Sequence, residues 1–134
     1  MLQQTQVKTV IPFFENFIKK IPNLKALAKV NDQKLLKCWE GLGYYSRARN
    51  LKKTAKIIIE NFNEKLPNNI NQLKSLPGIG EYTSSSISAI LKDESCAVID
   101  GNIERILLRV FDLNRSEKNF KKKMWKTQLN FQKN

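Results

Sequence analysis

The sequence predicts an all-α fold, and three observations carry that reading. Apolar residues recur at helical spacing, first in Val7, Val10, Ile11, Phe14, Phe17 and Ile18 and later in Ile103, Ile106, Leu107, Val110 and Phe111. No segment keeps a period-two alternation of apolar and polar residues, and Ala97-Val98-Ile99 is too short to found a sheet. The breakers Pro22, Gly41-Leu42-Gly43, Pro67 and Leu76-Pro77-Gly78-Ile79-Gly80 fall between the amphipathic stretches, as helix connections should.

In chain order, the first helix takes Val7 to Ile18 with one buried face, and Pro12 should bend it or mark a new first turn. Met1 and Leu2 also read as helix interior, so the chain is expected to begin inside an element. Asn23 is placed to cap a short helix to about Lys29, and Asn31 another through Leu35, Leu36 and Trp39, ended by the Gly41-Leu42-Gly43 turn. Ser46 should cap a longer helix. Its buried face would hold Ala48, Leu51, Ala55, Ile58, Ile59 and Phe62, while Arg47, Arg49, Lys52, Lys53 and Lys56 crowd its first half. Asn69 with Gln72 resembles a capping box for a brief helix. Asn102 is expected to cap the helix of Ile103 to Phe111, a role that Asp100 could share. Ser116 should start the last one, with Phe120, Met124 and Leu129 inward and Lys118, Lys121, Lys122, Lys123 and Lys126 outward.

Composition narrows the chemistry. The 134 residues are one domain's length, enough to bury about two-thirds of the unfolded surface without a metal or disulfide. With 24 Lys plus Arg against 12 Asp plus Glu, the formal net charge is +12, which favours polyanions and nucleic acid first among them. An AT-rich genome would explain why 19 of the 24 cations are Lys and why Asn occurs 14 times, but it explains the excess over acids less well. Lysine runs also serve as plain solvated helix faces. The lack of His removes His-based acid–base chemistry and His-ligated metals, leaving carboxylates, Tyr and Lys. Cys38 and Cys96 are isolated and no leader-like stretch is seen, so a reduced cytosolic compartment is expected. No apolar run reaches membrane-spanning length.

The stretch from Leu76 to Asn102 organises the rest. Pro77 sets one backbone angle of a tight hairpin, and Gly78 and Gly80 leave no side chain between the main chain and an approaching group. A helix starting near Glu81 would point its first N–H groups back at this loop, an arrangement that suits an anion such as phosphate. An ordinary connection between two helices has the same Pro-Gly-x-Gly signature. An apolar segment then leads to Asp100, a carboxylate expected to be buried.

Four separated stretches coincide: Met1-Leu2-Gln3-Gln4-Thr5-Gln6-Val7, Gly41 to Leu51, Leu76 to Thr83, and Ile99-Asp100-Gly101-Asn102-Ile103-Glu104-Arg105. From Met1 to about Trp125 the chain resembles the helix-hairpin-helix DNA glycosylases of the endonuclease III-like superfamily, and specifically the MutY-type adenine DNA glycosylases. The resemblance implies DNA base-excision repair by a monofunctional N-glycosylase, which removes adenine mispaired with guanine or 8-oxoguanine after flipping the nucleotide out. It makes Gln4 and Tyr44 the groups that fill the vacated position. Leu76, Gly78, Ile79 and Gly80 become the phosphate grip, with Arg47 and Lys52 adding to it. Asp100 would stabilise the positive charge that develops on the sugar, while Asn102 orients the region. Tyr82 stands where endonuclease III-type enzymes carry a Schiff-base lysine, so no strong lyase step is expected. Glu104 departs from the family, which places Lys there.

The same resemblance predicts the six-helix barrel half over residues 1–94, with the helix-hairpin-helix at about 69–92, and an incomplete start of the second helical domain over 95–134. The family's proton-donating Glu would lie two residues before Met1, and the cysteines of its 4Fe–4S cluster beyond Asn134. The chain is therefore expected to be the middle of a glycosylase, with no cofactor bindable in it and doubtful activity of its own. Helix faces around Ile106, Val110, Phe120 and Met124 would lack partners, which predicts self-association. The expected partner is double-stranded DNA with mispaired adenine, in a bacterial-type, nucleoid-associated cytoplasmic setting and not at a membrane. Two alternatives remain: a non-catalytic helix-hairpin-helix DNA-binding module, and a mismatch thymine DNA glycosylase, against which Gln3-Gln4-Thr5-Gln6 argues.

Overall fold

A computed structural model describes residues 1–92 and 98–131. Eight α-helices occur among the described residues and no strand does, so the all-α expectation holds. They are α1 (Val7–Lys20), α2 (Leu24–Lys29), α3 (Asp32–Trp39), α4 (Ser46–Asn61), α5 (Ile70–Lys74), α6 (Glu81–Lys92), α7 (Gly101–Val110) and α8 (Phe120–Phe131). The expectations for Cys96 and Ala97 lie outside the described residues.

The first compact unit holds Met1–Pro67 together with the turn Ser75–Gly78. Here α1 packs on α3, and α4 on both α2 and α3. Val10, Phe17, Ile21, Leu27, Leu35, Cys38, Trp39, Leu42, Ala48 and Ala55 form its core, with the Phe17 and Trp39 rings edge to face at 6.0 Å. Side chains of this size contribute about 1.5–3 kcal/mol each when fully buried. Small residues at Ala48 and Ala55 let α4 approach closely, which a larger side chain there would prevent. Asn23 and Asn31 cap α2 and α3 as expected, accepting from the Ala26 and Lys34 N–H groups at 2.8 and 2.7 Å.

Three expectations are corrected in this unit. Met1–Gln6 is not helical, because Arg47 takes the Met1 and Gln3 carbonyls that a helix would use internally. Pro12 lies inside a continuous α1, whose buried side is Val10 and Phe17 with Phe13 half-buried, while Val7, Ile11, Phe14 and Ile18 are exposed. Ser46 is the first helical residue of α4 and not its cap. Tyr45 holds that position, and the Tyr44 carbonyl already accepts from Arg47 N–H at 2.9 Å.

The second unit holds Asn68–Lys74 and the described residues from Ile79 on. Helices α5 and α6 pack together, with Asn69 accepting from Asn71 N–H at the start of α5 and Ser84, Ser85 and Ser88 buried on α6. Helices α7 and α8 pack through Leu107, Leu113 and Met124, flanked by Ile99, Ile103, Leu108 and Phe120. Phe120 and Met124 thus have partners, contrary to expectation, because they close over Leu107. Ile106 and Val110, by contrast, stay 54% and 66% exposed.

Helix starts shift here too. Asp100 caps α7 alone, its carboxylate accepting from two N–H groups of the first turn, while the Asn102 side chain accepts from Arg105 instead. Ser116 lies in a turn held by Asn114 Oδ1, and α8 begins at Phe120. Gln128 is buried on α8 where Leu129 was expected to be the inward residue; its Nε2 donates to the Val98 carbonyl at 2.9 Å.

Candidate nucleic-acid interface and catalytic carboxylate

The turn after α3 is built around left-handed backbone. Gly41 and Gly43 have φ of +95° and +65°, and Tyr44 follows at +47°. A Cβ on Gly41 would come within 3.0 Å of the Phe13 ring, so glycine is required there on two grounds. Tyr44 has no such freedom. A non-glycine residue in this region costs roughly 1–2 kcal/mol and persists only where the surroundings hold it. Trp39 Nε1 donates to the Gly43 carbonyl at 3.1 Å, anchoring the turn to the core.

Gln4 shows the same strain, with φ +57°. It lies in the turn of Met1–Gln6, where Thr5 N–H donates to the Leu2 carbonyl at 3.3 Å. Both residues expected to fill a vacated base position are therefore left-handed and exposed, Tyr44 at 61%. Arg47 stands between their segments. Its Nη1 donates to the carbonyls of Met1 and Gln3 at 2.6 and 2.5 Å and to Thr5 Oγ1 at 3.2 Å. Its Nη2 donates to the carbonyls of Leu42 and Gly43 at 3.0 and 3.3 Å. The guanidinium also lies 5.3 Å from the Tyr44 ring centre and 5.7 Å from that of Trp39, within cation–π range.

The turn Leu76–Gly78 is fixed from beneath by α4. Thr54 Oγ1 donates to the Pro77 carbonyl at 3.0 Å, and Gly78, with φ +78°, leaves only 3.0 Å between a would-be Cβ and Asn50. Leu76 is buried. Neither Asn50 nor Thr54 was singled out from sequence. Their i, i+4 spacing beside Ala55 is the signal that would have found them. Ile79 and Gly80 lead into α6, and a Cβ on Gly80 would meet nothing within 4 Å. Glu81, in the first turn of α6, is paired with Lys74 at 2.9 Å, which offsets its charge near this helix start. Tyr82 follows, 47% exposed.

Lys52 is already engaged with Asp32, 2.5 Å away. That hydrogen bond, then the Lys52 charge, holds the Asp32 carboxyl below its ordinary pKa. Asp32, Arg49, Lys52, Lys53 and Lys56 line a recess of about 170 Å³.

Asp100 is half-buried and has extended backbone, φ −102° and ψ 178°. Its Oδ1 accepts from Asn102 N–H at 2.9 Å and Ile103 N–H at 2.8 Å, which fixes the carboxylate at the positive end of α7. The Asn102 side chain turns to accept from Arg105. Glu104 pairs with Arg115 at 2.9 Å. Among the described residues no cluster of acidic or Cys side chains is arranged to hold a metal, and Cys38 is buried in the apolar core.

Several known proteins are similar to this chain. The chain is 46% identical over 127 residues to the adenine DNA glycosylase of Buchnera aphidicola subsp. Baizongia pistaciae, covering 95% of this chain and 36% of that relative. The human adenine DNA glycosylase is 40% identical over 111 residues, covering 82% of this chain and 20% of the human protein. The chain thus spans little more than a third of the length of the bacterial relative and a fifth of that of the human one. A solved trapped endonuclease III–DNA covalent intermediate superposes with a TM-score of 0.84 at 20% identity, over 96% of this chain and 60% of that one. A thermostable thymine-DNA glycosylase does so with a TM-score of 0.83 at 24% identity, over 96% and 60%. These two likenesses establish the fold, the helix-hairpin-helix glycosylase fold, over part of its length. The profile of the HhH-GPD superfamily of base excision DNA repair proteins matches residues 1–128, and the chain belongs to that family.

Proposed function

We propose that this chain carries the DNA-gripping and base-removing residues of an adenine DNA glycosylase, acting on adenine mispaired with guanine or 8-oxoguanine. The observation that carries the reading is the 46% identity to such an enzyme over nearly the whole chain. Residues 1–94 are assigned to the barrel half and 95–134 to the start of the second helical domain. The relatives' length beyond this match is where a 4Fe–4S cluster would be held in a longer form, and no step here is routed through one. The setting is the nucleoid-associated cytoplasm.

The residues take these roles. The backbone of Leu76, Gly78, Ile79 and Gly80 holds a phosphate of double-stranded DNA, aided by the positive end of α6. Gln4 and Tyr44 fill the space of the extruded nucleotide. As the N-glycosidic bond breaks, its electron pair leaves with the adenine and positive charge develops on the sugar; a water molecule then bonds to that sugar carbon as hydroxide, and its released proton balances the one taken up by the adenine. Asp100, held by the two α7 N–H groups on Oδ1, presents its other oxygen to that charge. Asn102 orients the same helix start. Tyr82, a phenol, forms no imine with the sugar, so the product is an abasic site without strand cleavage.

Asp100→Asn tests the assignment. Asn is an equally good cap, so folding should survive. Release of adenine from an A·G duplex should fall by about 10²–10³-fold with DNA affinity nearly unchanged. Release at the parent rate removes Asp100 from the chemistry. The second reading, a DNA-binding module without catalysis, is favoured by the capping role that Asp100 already performs; it predicts no release by either protein. Competition between mispaired adenine and mispaired thymine duplexes distinguishes the two glycosylase substrates.

A further inference from the structure

The geometry points to Arg47 as a positioning residue, a clasp that holds Gln4 and Tyr44 in their strained and exposed posture, and not as a contact to DNA phosphate. What the clasp is for rests on the glycosylase reading; that it exists rests on the structure alone. Arg47 donates to Met1, Gln3 and Thr5, 42 to 46 residues away in sequence, and to Leu42 and Gly43 beside it. The first set of anchors encloses Gln4. The second ends immediately before Tyr44. The first clasped segment therefore carries one left-handed non-glycine residue and the second leads directly into another, and a single guanidinium is bonded to both segments.

Only Arg suits this arrangement. Its planar fork directs donors to two sides at once while its face rests against Tyr44 and Trp39, whereas the Lys ammonium is a compact point charge. The two terminal nitrogens are engaged with five acceptors of the chain itself, and Nε is buried. No terminal donor is left over for a phosphate. Strain held in place before the ligand arrives is preorganisation, which lowers the ordering cost of inserting two side chains into a duplex.

Arg47→Lys in the full chain tests this with two readouts. In the free protein, NMR backbone shifts of Gln4 and Tyr44 report the sign of φ. The expected result is loss of the left-handed signature at both residues together, while core signals of Leu35 and Ala55 stay in place. With a duplex carrying 2-aminopurine opposite guanine, the fluorescence rise on extrusion should fall about tenfold, while the slope of log affinity against log salt is unchanged. Retention of both left-handed signatures overturns the clasp, as does a slope reduced by about 0.9 with fluorescence intact, the mark of one lost phosphate contact. If the parent chain binds the duplex without any fluorescence rise, the glycosylase reading fails, and the NMR arm still decides the clasp. Thr5→Val, which removes one acceptor, serves if Arg47→Lys does not fold: a shift at Gln4 supports the clasp and an unmoved Gln4 overturns it.

Discussion

Gly78 and Gly80 separate folding from binding at the level of single residues. Gly78→Ala meets both a left-handed φ and Asn50 at 3.0 Å, so urea unfolding should show a loss of roughly 1–2 kcal/mol or more. Gly80→Ala meets nothing, so stability should stay within about 0.5 kcal/mol while duplex affinity falls, if the hairpin backbone approaches a phosphate. Equal loss of stability in both variants would show that the turn is only structural. Asp32 offers a pH-dependent counterpart. Its folded pKa is lowered by Lys52, so its contribution is present above the ordinary carboxylate value near 3.9 and is lost as pH falls through the lowered one. An NMR titration should place the Asp32 midpoint below the ordinary range, and Lys52→Met should return it. An unmoved midpoint would mean that the ion pair is not populated in solution.

Helix boundaries show which local signals are strong. Asn23 and Asn31 do what their sequence context predicts, because an amide oxygen at a helix start needs only its own next turn. Asn31→Ala should cost about 1 kcal/mol in urea unfolding. No change would mean that packing of Leu35 and Trp39 alone sets the start of α3. Two other starts depend on contacts from outside the helix: Arg47 withdraws two carbonyls from the segment before α1, and the left-handed Tyr44 immediately precedes the first turn of α4. Amphipathic spacing likewise identified α1 and α7 as helices without saying which apolar flank would be covered.

For the whole molecule, charge and apolar exposure make opposite demands. The formal charge of +12 keeps copies apart and draws in polyanions, so duplex affinity should fall steeply with salt, linearly on a log–log scale. A flat response would sink every DNA-binding reading of the chain. Exposed Ile106 and Val110 favour association instead. Sedimentation of the free chain should show concentration-dependent self-association that Ile106→Glu with Val110→Glu removes. A parent chain that stays monomeric at all concentrations would show that this face needs no cover.

The sequence by itself determined the helical class, the two asparagine caps, the hairpin and the four stretches that identify the family. All of these depend on residue type and short spacing, which act within a turn or two of the chain. Only the tertiary structure decided that Phe120 and Met124 are covered, that Asn50 and Thr54 support the turn at Pro77 and Gly78, and that Arg47 joins Met1–Thr5 to Leu42–Gly43. Those outcomes hang on contacts between segments tens of residues apart. A side chain's alternatives there are set by what the folded chain brings beside it, not by its neighbours in sequence.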